Sequence, residues 1–263
     1  MLENKDKNVH IILEYHGAGF WSIFNKIMNY LLYYKNISKI SYNVVPNTNT
    51  IYGKDELFNK VFDTYITNTN IDITLHAKNY ITYEATGWFA PNLHLGDQNW
   101  RSIYNTLWKK YIHVKPEIIS SLPVFSDNKQ NISILIRHNA LAHEQINKRM
   151  PSFQQYDTVL QELLNKYNNY CRIILATDLY EAEHYFKTKY SHIEIVHPHS
   201  VKSTNTTVEA SQITDLVHEN NTSIAVYTVL LLAKGDHFLF PNSNMATAAL
   251  YINPTMIPHF LIG

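Results

Sequence analysis

The sequence predicts an α/β protein built on parallel β-sheets, and three observations predict it. Strand-like and helix-like segments alternate along most of the 263 residues, the rhythm of parallel strands covered by helices on both faces. The strongest strand candidates, residues 131–136 and 171–176, are short runs dominated by apolar and β-branched residues, as buried strands should be. Finally, His16, Arg137, Asp178 and Ser243 each fall just after a predicted strand. A ligand site at one edge of a parallel sheet requires that placement.

Taken in order, residues 9–15 read as a strand, His16-Gly17-Ala18-Gly19 as a tight turn, and residues 20–34 as a helix dense in apolar and aromatic side chains. Strand, glycine turn and helix form a ligand-facing corner: Gly17 and Gly19 let a ligand approach the backbone, and the helix start offers free N–H groups. The longer dinucleotide fingerprint is absent, so a plain βα turn is the competing reading. Residues 40–45 follow as a strand, 56–65 as a short helix, and 71–75 and 80–83 as short strands. Residues 98–112 have helical spacing, with Trp100, Ile103, Leu107, Trp108 and Tyr111 on one face, read as core. Pro116 marks a helix start. The polar run Ser126-Asp127-Asn128-Lys129-Gln130 is the most linker-like segment, which puts a domain boundary near 127.

The second half opens on Asn131-Ile132-Ser133-Ile134-Leu135-Ile136-Arg137-His138, a strand that delivers an arginine to its carboxyl end. The chain has only four arginines (Arg101, Arg137, Arg149 and Arg172) among its 22 basic residues. A scarce arginine at a strand end suits a planar, permanently charged fork aimed at phosphate; the bland alternative is an arginine paired with a neighbouring carboxylate. Helices are expected from Pro151-Ser152-Phe153 to about residue 167, over 181–190, over 223–234 and from Met245. Strands are expected over 171–176, 193–196 and 236–240, with 197–207 as a loop.

Bulk composition narrows the function classes. Lys+Arg and Asp+Glu are both 22, so the formal net charge is zero, which argues against nucleic-acid binding by bulk electrostatics. Cys171 is the single cysteine, so neither an intrachain disulfide nor a cysteine zinc cluster can form. Fourteen histidines lack any His-Glu-x-x-His pattern, which disfavours a zinc hydrolase. No Gly-x-Ser-x-Gly elbow is present for a serine hydrolase. The charged start leads straight into a strand-like run and no apolar run approaches the roughly 18 residues of a membrane span. A cytoplasmic protein without a transmembrane segment is therefore expected.

The order of motifs resembles the fucosyltransferases of the α1,6 and protein-O type and their bacterial nodulation relatives. The resemblance rests on Gly17-Ala18-Gly19-Phe20 with its helix, on Gln98-Asn99-Trp100 through Lys115-Pro116-Glu117-Ile118, and on Leu135-Ile136-Arg137-His138. It continues through Leu175-Ala176-Thr177-Asp178 and the run from Lys234-Gly235-Asp236 to Asn242-Ser243-Asn244. It implies a GT-B-like architecture of two Rossmann-like lobes facing a cleft: residues 1–127 on the acceptor side and 128–263 binding a nucleotide sugar. It also implies an inverting, metal-independent transfer from GDP-fucose to a glycan or other hydroxyl acceptor, with no separate cofactor. By position, Arg137 would hold the donor pyrophosphate and Glu144 would be the catalytic base, with His143 beside it. Gly17, Gly19, His138, Asp178, Ser243 and Asn244 would line the donor site.

The sequence departs from that pattern at Leu135, His138, Leu179 and Thr228, where the family carries a histidine, an arginine and two aspartates. Some of those residues recognise guanine in the family, which leaves two alternatives open. One is a glycosyltransferase using a UDP-sugar. The other is a catalytically inactive nucleotide-sugar- or glycan-binding protein of the same fold.

Overall fold

Two parallel sheets organise the chain, as the alternation of elements predicts. The computed structural model describes residues 8–15, 20–33, 39–46, 62–63, 73–77, 95–137, 147–198 and 221–263. The first sheet has the order β2-β1-β4, with β1 (Asn8–Tyr15), β2 (Lys39–Pro46) and β4 (Ile73–Ala77) all parallel. Helix α1 (Phe20–Tyr33) lies between β1 and β2 in sequence. A two-residue antiparallel pair joins β3 (Phe62–Asp63) to β5 (His113–Val114). Between β4 and β6 come α2 (Gln98–Tyr111) and the short α3 (Pro116–Ser120).

The second sheet is five-stranded and parallel, in the order β10-β9-β6-β7-β8. Its strands are β6 (Gln130–Ile136), β7 (Cys171–Thr177), β8 (Glu194–Val196), β9 (His237–Phe240) and β10 (Ile257–Phe260). Its helices are α4 (Phe153–Lys166), α5 (Tyr180–Lys189), α6 (Asn221–Leu232) and α7 (Asn244–Ile252). Local chemistry fixes their starts. Ser152 and Gln155 form a reciprocal capping box on α4, and Asp97 caps α2 through Asn99 N at 2.8 Å.

The twofold alternation of strand side chains divides the core. Ile132, Ile134 and Ile136 of β6, Ile173 and Leu175 of β7 and Leu239 of β9 pack with Tyr156, Leu160 and Leu163 of α4 and Phe186 of α5. The intervening residues, Leu135, Ile174, Ala176, Phe238 and Phe240, belong to a second cluster with α6 and α7. That cluster continues into Phe24 and Met28 of α1 and Leu107 and Trp108 of α2, where the Phe24 and Trp108 rings meet edge to face at 5.5 Å. One apolar core therefore spans both halves of the chain. Gly235, in the α6–β9 turn, is required by close approach: a Cβ there would run into Ser133 Oγ and lie 2.9 Å from His237 O.

At the opposite edge of this sheet from the strand ends, Arg172 ties β7 to its neighbours. Its guanidinium bonds Asp127 at 2.8 Å, Glu194 at 2.9 Å and Asn131 at 3.0 Å, and lies 4.1 Å over the Phe125 ring. Arg172 in turn holds the Glu194 and Asp127 carboxyls below the usual carboxylate range.

Several sequence expectations need correction. Phe62 and Asp63, expected in a helix over 56–65, are a strand, since pairing with β5 overrides local propensity. The strand expected over 71–75 runs from Ile73 to Ala77. The strand expected over 80–83 lies outside the described residues. Trp100 and Ile103 are exposed at 37% and 36%, whereas Arg101 and Asn105 are buried on the face of α2 that was read as purely apolar. β10 was not among the expected strands; Pro258 is tolerated in it because β10 is an edge, bonded to β9 alone among the described residues.

His237 gives the fold a pH dependence. It is 2% exposed, with Nε2 2.8 Å from Tyr167 Oη and Nδ1 3.0 Å from His259 Nε2. The chain of bonds is satisfied with both imidazoles neutral, the tyrosine hydroxyl donating to Nε2 and Nδ1–H donating to His259. Burial, reinforced by His259 and Lys166 and opposed by Asp236, pushes the His237 imidazole down to about 4, and burial lowers His259 as well. The unfolded chain therefore binds more protons than the native one between about pH 6.5 and 4. Stability present at pH 7 is lost as pH falls through that window, on the order of 2–3 kcal/mol for His237. Urea melts at pH 7 and pH 4.5 check this, with His237→Gln expected to flatten the difference.

Candidate functional site

Strand order locates the site. From β6 the chain steps outward to β7 and β8, then crosses back to place β9 and β10 on the other side of β6. The order reverses between β6 and β9, and the carboxyl ends of strands at such a reversal frame an open crevice. Arg137 follows β6 directly, and α7 begins four residues after the end of β9 with Ser243 as its N-cap. The Ile136–Thr177 pairing makes Arg137 and Asp178 the next residues on adjacent strands. Four of the expected site residues, Arg137, Asp178, Ser243 and Asn244, thus share one edge of one sheet.

Their chemistry suits an anion. Arg137 is half-buried, and its guanidinium makes no hydrogen bond or salt bridge among the described residues. The alternative expectation, an arginine consumed by a neighbouring carboxylate, is not what the described residues form. Asp178 is half-buried too, with one carboxylate oxygen sealed from solvent and unbonded among the described residues. The turn beneath it is shaped by Thr177 Oγ1, which accepts from Leu179 N at 3.1 Å.

Across the crevice, Ser243 Oγ accepts from Met245 N at 3.2 Å, and Ser243 O accepts from Thr247 N at 3.1 Å. This cap leaves other first-turn N–H groups of α7 facing outward, at the positive end of the helix dipole. A cation without a partner among the described residues, on the same sheet edge as a helix N-terminus, is a combination that favours negative charge.

Helix α7 is fastened at both ends by residues from earlier in the chain. At its start, Asn25 of α1, 4% exposed, donates from Nδ2 to Asn244 O at 3.1 Å and to Asn244 Oδ1 at 3.0 Å. At its finish, Asn105 of α2 donates to Tyr251 O and Ile252 O at 2.9 and 2.7 Å, and Arg101 donates to Met256 O at 2.6 Å. Tyr104 stacks on Tyr251 with centroids 4.0 Å apart. Asn25 was not anticipated from the sequence. Its signal was there: with Trp21, Phe24 and Met28 it completes a 21-24-25-28 stripe, and it is the one polar residue in that stripe.

Gly17, Gly19, His138 and Glu144 lie outside the described residues. The positions that depart from the family pattern, Leu135, Leu179 and Thr228, are 2%, 6% and 7% exposed, and Thr228 Oγ1 is bonded back to Ile224 O. Among the described residues no three His, Cys, Asp or Glu side chains group as metal ligands, and no helix is long and apolar enough to cross a membrane.

No protein-family model matches the chain, and no curated protein sequence matches it significantly. Solved structures do. The fucosyltransferase NodZ from Bradyrhizobium superposes with a TM-score of 0.54 at 12% identity, over 97% of this chain and 96% of that one. An Arabidopsis thaliana FUT1 mutant in complex with GDP gives 0.54 at 9% identity, over 99% of this chain and 71% of that one. The likeness is one of fold. It is an α/β, Rossmann-like architecture of the GT-B type, shared over nearly the whole chain.

Two substitutions separate holding the site from serving it. Ser243→Ala removes the α7 cap and should cost about 1 kcal/mol in urea denaturation. Arg137→Ala removes no hydrogen bond or salt bridge among the described residues and should stay within about 0.5 kcal/mol of the parent.

Proposed function

We propose that the chain is an inverting, metal-independent glycosyltransferase, with GDP-fucose as the favoured donor and a hydroxyl of a glycan or glycoconjugate as the acceptor. The observation that carries this is Arg137: a guanidinium without a described partner, at the strand reversal of a sheet whose fold is that of NodZ. The related structure holding GDP makes a nucleoside diphosphate the natural first ligand to try. The donor site belongs to residues 128–263 and the acceptor side to residues 1–127.

In this reading the acceptor oxygen attacks the anomeric carbon from the face opposite the diphosphate, and the carbon–oxygen bond to phosphate breaks. Negative charge grows on the departing diphosphate. Arg137 and the α7 N-terminus with Ser243 and Asn244 neutralise it, a type of stabilisation whose loss costs on the order of a hundredfold or more in rate. Glu144 takes the acceptor proton. Gly17 and Gly19 admit the phosphates to the backbone, and His138 and Asp178 border the nucleotide. Arg137 does the charge work for which a divalent ion would otherwise serve.

Burial of Leu135, Leu179 and Thr228 favours a second reading. At these positions the side chains are spent on packing, so another base such as uracil, or binding without turnover, is the alternative.

Calorimetric titration with GDP, UDP, ADP and CDP tests the proposal. One diphosphate should bind, and Arg137→Ala should weaken it at least tenfold while the fold is retained. Turnover of the matching nucleotide sugar should persist with chelator present, and Glu144→Gln should abolish it without loss of diphosphate binding. Binding without turnover in the parent protein would select the inactive alternative, and binding of no diphosphate would reject the donor site.

A further inference from the structure

We infer that Asn25 is a positioning residue for the diphosphate end of this site, acting through Asn244; the inference rests on the donor-site reading above. The argument begins with hydrogen-bond polarity. A main-chain carbonyl can only accept, so the Asn25 atom 3.1 Å from Asn244 O must be its amide nitrogen. The Asn244 atom 3.0 Å from that nitrogen must then be an oxygen. Both amides are thereby oriented by chemistry. With Oδ1 of Asn244 turned to Asn25, its Nδ2 remains as the outward group, and it has no hydrogen-bond partner among the described residues.

Asn244 is exposed and is the first residue of α7, beside the Ser243 cap. Left to itself an exposed asparagine amide flips freely, offering an acceptor oxygen to the crevice as readily as a donor. Asn25 removes that choice and presents two N–H donors where the helix dipole and Arg137 already favour an anion.

A second observation points the same way. Asn25 is 4% exposed and its own Oδ1 has no partner among the described residues. The residues that share its stripe on α1, Trp21, Phe24 and Met28, all belong to the apolar core. A leucine would pack there without leaving a buried acceptor unsatisfied. The asparagine is a poor choice for packing and a good one for orienting Asn244.

The test uses GDP and UDP as titrants with the full chain, and guanosine or uridine as controls lacking phosphate. Asn244→Ala and Asn25→Leu should each weaken the bound diphosphate about ten- to a hundredfold, as expected for lost hydrogen bonds to a charged group. Neither should change nucleoside affinity. The Asn25→Leu, Asn244→Ala double variant should be no weaker than Asn244→Ala, because one residue acts through the other. A purely structural Asn25 would instead lower the melting temperature and leave the affinities alone.

Should Asn25→Leu fail to fold, Asn244→Ala decides by itself, since its side chain is exposed. If the parent and Asn244→Ala bind the diphosphate equally while Arg137→Ala does not, the positioning role is wrong and the donor site stands. If the parent binds neither diphosphate, the donor site and the positioning role fall together.

Discussion

The seating of helix α7 is the constraint on which the rest of the structure depends. Its body is buried against α1, α2 and α6, with Ala246, Ala248, Ala249 and Leu250 all fully enclosed. Small side chains let the helix approach closely, but they cannot fix its position along its axis. Polar side chains do that: Asn25 at the first turn, and Asn105 and Arg101 at and beyond the last. Together they meet four main-chain carbonyls, and two of these, Tyr251 O and Ile252 O, are among the last of the helix, which lack intrahelical partners. The same bonds that locate α7 therefore locate the crevice at its N-terminus.

The four arginines make the point in electrostatic terms. Arg101 is buried against Met256 O, and Arg172 is held by Asp127, Glu194 and Asn131. Arg149 is exposed. Arg137 alone is half-buried without a hydrogen bond or salt bridge among the described residues, at the point where the strand order reverses. Partial desolvation of an unpaired guanidinium costs stability.

What the sequence disclosed depended on whether the deciding interaction was local. β6 and β7 were legible because a strand buried on both faces must be apolar throughout, and α4 because Pro151-Ser152-Phe153 marks its start. The strand-end residues Arg137, Asp178 and Ser243 could be placed from order alone, since parallel strands deliver their carboxyl ends to one edge. Arg101 and Asn105 misled the reading of α2 because their partners lie 155 and 146 residues away, and polarity suggested exposure. β3 is too short to carry a pattern. β10 is a four-residue edge strand without a clear alternation. Leu135, Leu179 and Thr228, where the sequence departs from the pattern it resembles, are buried, so those positions carry packing that the sequence alone did not disclose.

The bond between Asn25 and Asn244 spans 219 residues of sequence. Contacts so distant in sequence must await closure of the intervening loop, an entropic cost that grows with its length. The segment from β6 to β8 can pair and bury its first helical layer using neighbours alone. The crevice cannot. It requires β9 and α7, inserted on the far side of β6, together with α1 from the opposite end of the chain. Synthesis from the N-terminus therefore leaves Asn25 waiting for its partner while 219 further residues are made, and a fragment lacking either α1 or α7 has the materials for a sheet but not for the joint.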